Sequence, residues 1–267
     1  MSSDIVFTKD NLDTYLKELA KEIRKSDRSG MPVEIILIGG AAILANYGFR
    51  EMTTDIDAVF RAGYSLKDSI NRVGDRYNLP NGWLNTDFMK TGSYSPKLVE
   101  VSKYYKTFSG VLEVRTVSAE YLIAMKLRAG REYKNDLSDI IGILAEHEKS
   151  GSLITMEQID AAVMKLYSGW QEISADIRRF IEGVVANGQY SVMYDSVRAG
   201  EKEAKNILVQ FEKDYPNTAN ENNVTNILET LKAKKAEEAK ESILARLKKQ
   251  ETTPKKQKQV RNRDPEL

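Results

Sequence analysis

The stretch Ile35–Phe60, IILIGGAAILANYGFREMTTDIDAVF, constrains the fold more than any other part of the chain. An apolar run ends on Gly39-Gly40, a short alanine-rich run follows, and a second apolar run opens with Asp55 and Asp57. In a strand, residues i and i+2 share a face, so this spacing presents two carboxylates side by side. Adjacent like charges are costly unless a cation shares them. Hard oxygen ligands suit Mg²⁺, which commonly binds through one or two carboxylates plus substrate phosphates. Gly39 and Gly40 can bring backbone N–H groups close to a phosphate at a helix N-terminus. A phosphate cradle beside metal-binding carboxylates is what phosphoryl or nucleotidyl transfer needs. Each half also has a plainer reading, a tight strand-to-helix turn and a solvated strand edge. Ile56 and the following Ala58-Val59-Phe60 favour a strand entering a core, where unpaired carboxylates would be costly.

Residue usage removes several alternatives. The chain of 267 residues has no cysteine, which excludes disulfides, thiolate zinc sites and a cysteine nucleophile together. His147 is the only histidine, so a Ser-His-Asp triad or a multi-histidine metal site is nearly excluded; its place near a helix end predicts a surface role. No run approaches the ~20 apolar residues of a membrane span. The opening MSSDIVFTKD lacks the basic and apolar regions of a signal peptide, so the expected location is cytoplasmic. The formal charge of +1 hides an asymmetry. Leu231–Leu267 carries 12 Lys and Arg against 6 Asp and Glu, a net +6, which leaves about −5 on the rest. A basic end on a mildly acidic body fits an anionic partner such as RNA. It also fits a solvated helix with a disordered end.

Periodicity predicts an α/β first half. A helix is expected over Asn11–Lys25, a buried strand over Val33–Ile38, a short helix over Gly40–Tyr47 and a second strand over Ile56–Phe60. Leu66–Tyr77 reads as a helix; Leu98–Val101 and Val111–Thr116 read as strands around Tyr104-Tyr105, arranged as a hairpin. Ser118 reads as an N-cap for a helix to about Ala129, with another helix from Asp136 to about Glu148. Beyond Gly151 every periodic segment is helical: Met156–Tyr167, Ala175–Ala186, Ser191–Lys213 and Asn222–Lys249. The expected organisation is an α/β domain over 1–150, a helical domain over 151–250 and a basic, disordered tail over 251–267.

Gly39-Gly40 followed by Thr54-Asp55-Ile56-Asp57 resembles the signature of the nucleotidyltransferase superfamily. Arg50 with Thr53-Thr54-Asp55-Ile56-Asp57 is similar to the variant found in AbiEii-type toxins and their bacterial relatives, with Arg50 two places further from Thr54 than the strict pattern. A second block, Ser118 to Arg131 with Lys126 and then Asp136 and Asp139, resembles the helix block of those relatives; Trp83-Leu84-Asn85 also matches a segment of theirs. The likeness covers Val33 to Leu144.

The resemblance implies a mixed sheet flanked by helices and a Mg²⁺-dependent transfer of a nucleotide from an NTP. It implies two Mg²⁺ ions on Asp55 and Asp57, phosphates held at Gly39 and Gly40 with Thr54, Arg50 and Arg131 helping, and Lys126 offsetting developing negative charge. It calls for a third carboxylate on a neighbouring strand, with Glu113 the first candidate and Glu100 the second. The acceptor it implies is an RNA, such as a tRNA end, or a protein hydroxyl, in a toxin–antitoxin or phage-defence setting with a cognate antitoxin. Other roles stay open for these residues. Lys126 sits among apolar neighbours and could merely snorkel. Arg131, Asp136 and Asp139 could be a salt-bridge set fixing two helices, and Trp83 suits a core as well as a base-stacking platform. A catalytically inactive binding protein, contacting RNA or a protein through Lys232, Lys234, Lys235, Lys248, Lys249, Lys255 and Lys256, is the competing reading.

Overall fold

A computed structural model describes residues 5–26, 32–62, 65–220 and 223–251. The chain divides into two compact units, Met1–Glu203 and Ala204–Leu267.

The first unit is built on a five-stranded mixed sheet of order β3-β2-β1-β5-β4. The central strand is β1 (Val33–Leu37); Ile35, Ile36 and Leu37 are all fully buried, as expected of a strand covered on both faces. It pairs antiparallel with β2 (Ile56–Arg61) and parallel with β5 (Leu112–Val117). The short β3 (Leu84–Asn85) lies parallel to β2, and β4 (Ser102–Phe108) runs antiparallel to β5 at the far edge.

Nine helices complete the described chain. Between β1 and β2 runs α2 (Gly39–Asn46), while α1 (Lys9–Ser26) packs on α3 (Lys67–Tyr77). After β5 come α4 (Ala119–Ala129), α5 (Asp136–Lys149), α6 (Met156–Tyr167) and α7 (Ala175–Asn187). Two long helices come last among the described residues, α8 (Tyr190–Asp214) and α9 (Val224–Glu251). No helix among the described residues is long and apolar enough to cross a membrane.

Three expectations change. The segment Leu98–Val101 is not a strand: Pro96–Leu98 forms a 3-10 turn in which the Ser95 side chain accepts from the Lys97 N–H. The strand is instead the polar SKYYKTF segment of β4. As an edge strand with a register shift between Tyr104 and Lys106, it leaves most of its side chains in solvent. The core does not break at residue 150. Ile159, Val163, Leu166, Ile181 and Val184 belong to the same hydrophobic cluster as the sheet, because α6 packs on α4. The compact unit therefore runs on to Glu203. His147 is half-buried, its Nδ1 3.0 Å from the Ser152 carbonyl and its Nε2 3.2 Å from the Tyr47 hydroxyl, so it ties α5 to the end of α2. Trp83 is a core residue, 2% exposed, and its indole N–H donates to the Ile70 carbonyl at 3.0 Å.

In the second unit, Ala204, Val224 and Leu228 are buried, and the Phe211 and Tyr215 rings lie 5.1 Å apart. The expected basic tail, Thr252–Leu267, lies outside the described residues.

Candidate active site

The glycine bend brings the site together. Gly39 adopts φ +55°, a left-handed conformation that a side chain disfavours, and this turns β1 directly into α2. Ile38, at the N-cap of the helix, makes no side-chain cap hydrogen bond. A Cβ on Gly39 would lie 3.8 Å from Asp57 Oδ2, which sets the Asp57 carboxylate against the bend. Gly40 is packed from outside: a Cβ there would meet Thr53 Oγ1 at 2.7 Å and Arg50 Nη2 at 2.9 Å.

Asp57 lies within β2 and is half-buried, while Asp55 precedes the strand and is exposed. Burial, and then the Asp55 charge, push the Asp57 carboxyl up to about 6; Lys134 opposes the rise, Asp87 adds to it and Lys126 opposes it. Burial first, and the Asp55 charge second, thus disfavour the ionised Asp57 carboxylate. Lys134, exposed in the turn before α5, is a cation that sequence reading passed over.

Lys126 is not a free phosphate contact. Its ammonium lies 2.8 Å from Asp136 and 2.8 Å from Asp139, and all three side chains are nearly enclosed, with exposures of 11%, 1% and 4%. Arg50 reaches Asp139 at 2.5 Å and Arg131 reaches Asp136 at 2.8 Å. Burial pushes the Asp136 carboxyl up, but Lys126 and Arg131 more than reverse this and hold it at about 2. Burial lowers the Lys126 ammonium's pKa, and Asp139 and Asp136 raise it further than burial lowers it. Both halves of the predicted alternative therefore meet in one network. The salt-bridge set exists, and it stands beside the bend because Arg50 touches Gly40 on one side and Asp139 on the other. Phe49 reinforces the link: a Cβ on Gly142, one turn beyond Asp139, would fall 2.4 Å from its ring.

Some predicted residues are elsewhere. Glu113 pairs in register with Glu34 near the start of β1, while Asp57 accepts from the Ile38 N–H at its end. Four residues of strand, ~13 Å, separate those levels. Arg115 holds Glu113 at 3.0 Å. Glu100 is exposed and paired with Lys165. Neither supplies a third carboxylate, because β2 lies between β3 and β1, not beside β4 or β5. The register places Asn85 directly beside Asp57. Asp87, two residues on, is exposed and bound to Lys90 at 2.6 Å. Among the described residues no three His, Cys, Asp or Glu side chains are grouped to hold a metal. Thr54 is exposed, and Thr53 is the threonine that faces Gly40; its backbone pairs with Phe7. A groove of about 980 Å³ opens along β3, lined by Phe60, Leu66, Ile70, Trp83, Asn85 and Asp87 among others.

A family model described as "Nucleotidyltransferase of unknown function (DUF6036)" matches residues 14–147, half of the chain, from α1 through the glycine bend and the acids to the ion-pair network on α5. The chain belongs to this family. Among solved structures, an antigenic nucleotidyltransferase-like protein from Paracoccidioides brasiliensis is similar at 13% identity and a TM-score of 0.39, over 74% of this chain and 96% of that one. No curated protein matches. The nucleotidyltransferase match ends at residue 147, at the last turn of α5, so the helices from α6 onward lie beyond it.

Proposed function

We propose that this nucleotidyltransferase-family protein moves a nucleotide from an NTP to a hydroxyl of an RNA or protein acceptor. The observation that carries the reading is the Asp57 carboxylate set against the Gly39 bend, crowded by Asp55 and raised to about 6. Asp55 and Asp57 would hold a magnesium ion, which when bound supplies charge neutralisation at the phosphates and at the acceptor oxygen. Two acids suit one such ion; the expected second ion lacks the third carboxylate that Glu113 was to give. The N–H groups at the start of α2 would donate to phosphate oxygens, and Lys134 would add a point charge there. Lys126 and Arg50 hold the walls of the site through Asp136 and Asp139. The β3 groove carries Asp75 and Asp87 against Lys67, so it suits an uncharged base or sugar better than a phosphate backbone. A place in a toxin–antitoxin pair or phage defence, as in AbiEii-type toxins, rests on the sequence resemblance.

The test is labelling with each of four NTPs and Mg²⁺ in the presence of total RNA or cell lysate. Wild type should transfer label, and Asp55→Ala/Asp57→Ala should not; equal labelling by both refutes the proposal. A non-catalytic reading gains from the saturated charge of Lys126 and Arg50. Salt-sensitive RNA binding that needs no nucleotide and is lost on deleting Lys249–Leu267 would favour it.

A further inference from the structure

The first turn of α5 carries Asp136 and Asp139, and so sets where Lys126, Arg131 and Arg50 stand. That turn is not capped by its own N-cap residue: Asn135 makes no side-chain cap hydrogen bond. The cap comes from 63 residues away. Glu201 on α8 accepts at Oε1 from the backbone N–H of Leu137 at 2.8 Å and of Ser138 at 3.3 Å. Glu201 is 4% exposed, and its Oε2 makes no hydrogen bond among the described residues. A carboxylate at a helix N-terminus satisfies orphan donors and complements the helix dipole. This one does so inside the protein, where an unmet N–H is costly.

We infer that Glu201 is a positioning residue of the site. By holding the first turn of α5 it fixes Asp136 and Asp139, and through them the Lys126 ammonium and the Arg50 guanidinium beside the glycine bend. The inference deepens the nucleotidyl-transfer reading and takes its functional meaning from it. Only Oε1 is used, so an amide oxygen serves as well as a carboxylate.

The experiment uses the full chain and two readouts. Acylation of Lys126 by an acetyl N-hydroxysuccinimide ester, followed by mass spectrometry, reports whether the ammonium is still enclosed. Calorimetric titration with MgATP reports the site. Glu201→Ala should raise Lys126 acylation and weaken MgATP binding, each by roughly tenfold or more, the scale of the two buried hydrogen bonds lost with Oε1. Glu201→Gln should match wild type in both. Val163→Ala, in the core of α6, gives a destabilised control that should leave Lys126 enclosed. If Glu201→Ala does not fold, Glu201→Asp, one carbon too short to reach both amides, is read the same way. Lys126 acylation unchanged in the Ala or Asp variant, or raised equally by Val163→Ala, overturns the inference. Failure of wild type to bind MgATP would count against nucleotidyl transfer with ATP, while the Lys126 readout would still decide the role of Glu201.

Discussion

Replacing Lys126 by Met tests whether the ion-pair network holds the site's wall together. Met fills a similar volume, so the change is chiefly the loss of an ammonium lying 2.8 Å from each of two buried aspartates. Removing one partner of a buried pair costs about 3–5 kcal/mol. Here Asp136 keeps Arg131 at 2.8 Å and Asp139 keeps Arg50 at 2.5 Å, so roughly 2–3 kcal/mol is expected. For a unit of about 200 residues, one kcal/mol shifts the melting midpoint by about 2–4 °C, which puts the expected fall at about 5–10 °C. The loss should also depend on pH. Asp136 is held at about 2 against an ordinary value of 3.8, so its contribution is present above 3.8 and is lost as pH falls through 2. The difference between Lys126→Met and wild type should therefore shrink on acidification from pH 5 to pH 2. Thermal unfolding followed by circular dichroism at several pH values measures both. A fall of less than about 2 °C at pH 7, or a difference that does not change between pH 5 and pH 2, would mean that the ammonium is effectively solvated and the network is ornamental.

Three further outcomes are expected. Asp57 is raised from 3.8 to about 6, so the strain of its charge is absent below pH 4 and full above pH 6. After discounting for its partial exposure, Asp57→Asn should stabilise the fold by about 1–2 kcal/mol at pH 7 and leave it unchanged at pH 4 by denaturant titration; equal effects at both would refute the cause given. Gly40→Ala should destabilise by about 1–3 kcal/mol, because its Cβ would meet Thr53 Oγ1 at 2.7 Å and displace Arg50 from Asp139; an unchanged midpoint would show that the two side chains move aside freely. Glu113→Gln should leave nucleotide labelling at the wild-type level, since Glu113 pairs with Arg115 at the other end of the sheet; a large loss would return it to the site.

The elements were legible wherever burial repeats with a helical or strand period. Val33–Leu37 is apolar except for Glu34 because both faces of a central strand are covered, and Met156–Tyr167 shows its buried stripe plainly. The polar edge strand β4 and the two-residue β3 carry no such pattern, so sequence reading placed the first wrongly and passed over the second.

Local chemistry also pointed to the glycine bend and its neighbouring acid. Gly-Gly permits a tight bend, and Asp55 and Asp57 flank Ile56 at the start of β2, so local sequence already pointed to Gly39 and Asp57 as neighbours. Whether a third acid joins them was beyond it, because that depends on which strand lies beside β2, and strand order is a long-range property. The same holds for Lys126, whose neighbours in sequence suggested a free cation or a snorkelling one. Only the packing of α4 on α5, with Arg50 reaching across 89 residues and Glu201 across 63, decided that it is neutralised. Charges find partners through space, and the sequence lists them only along the chain.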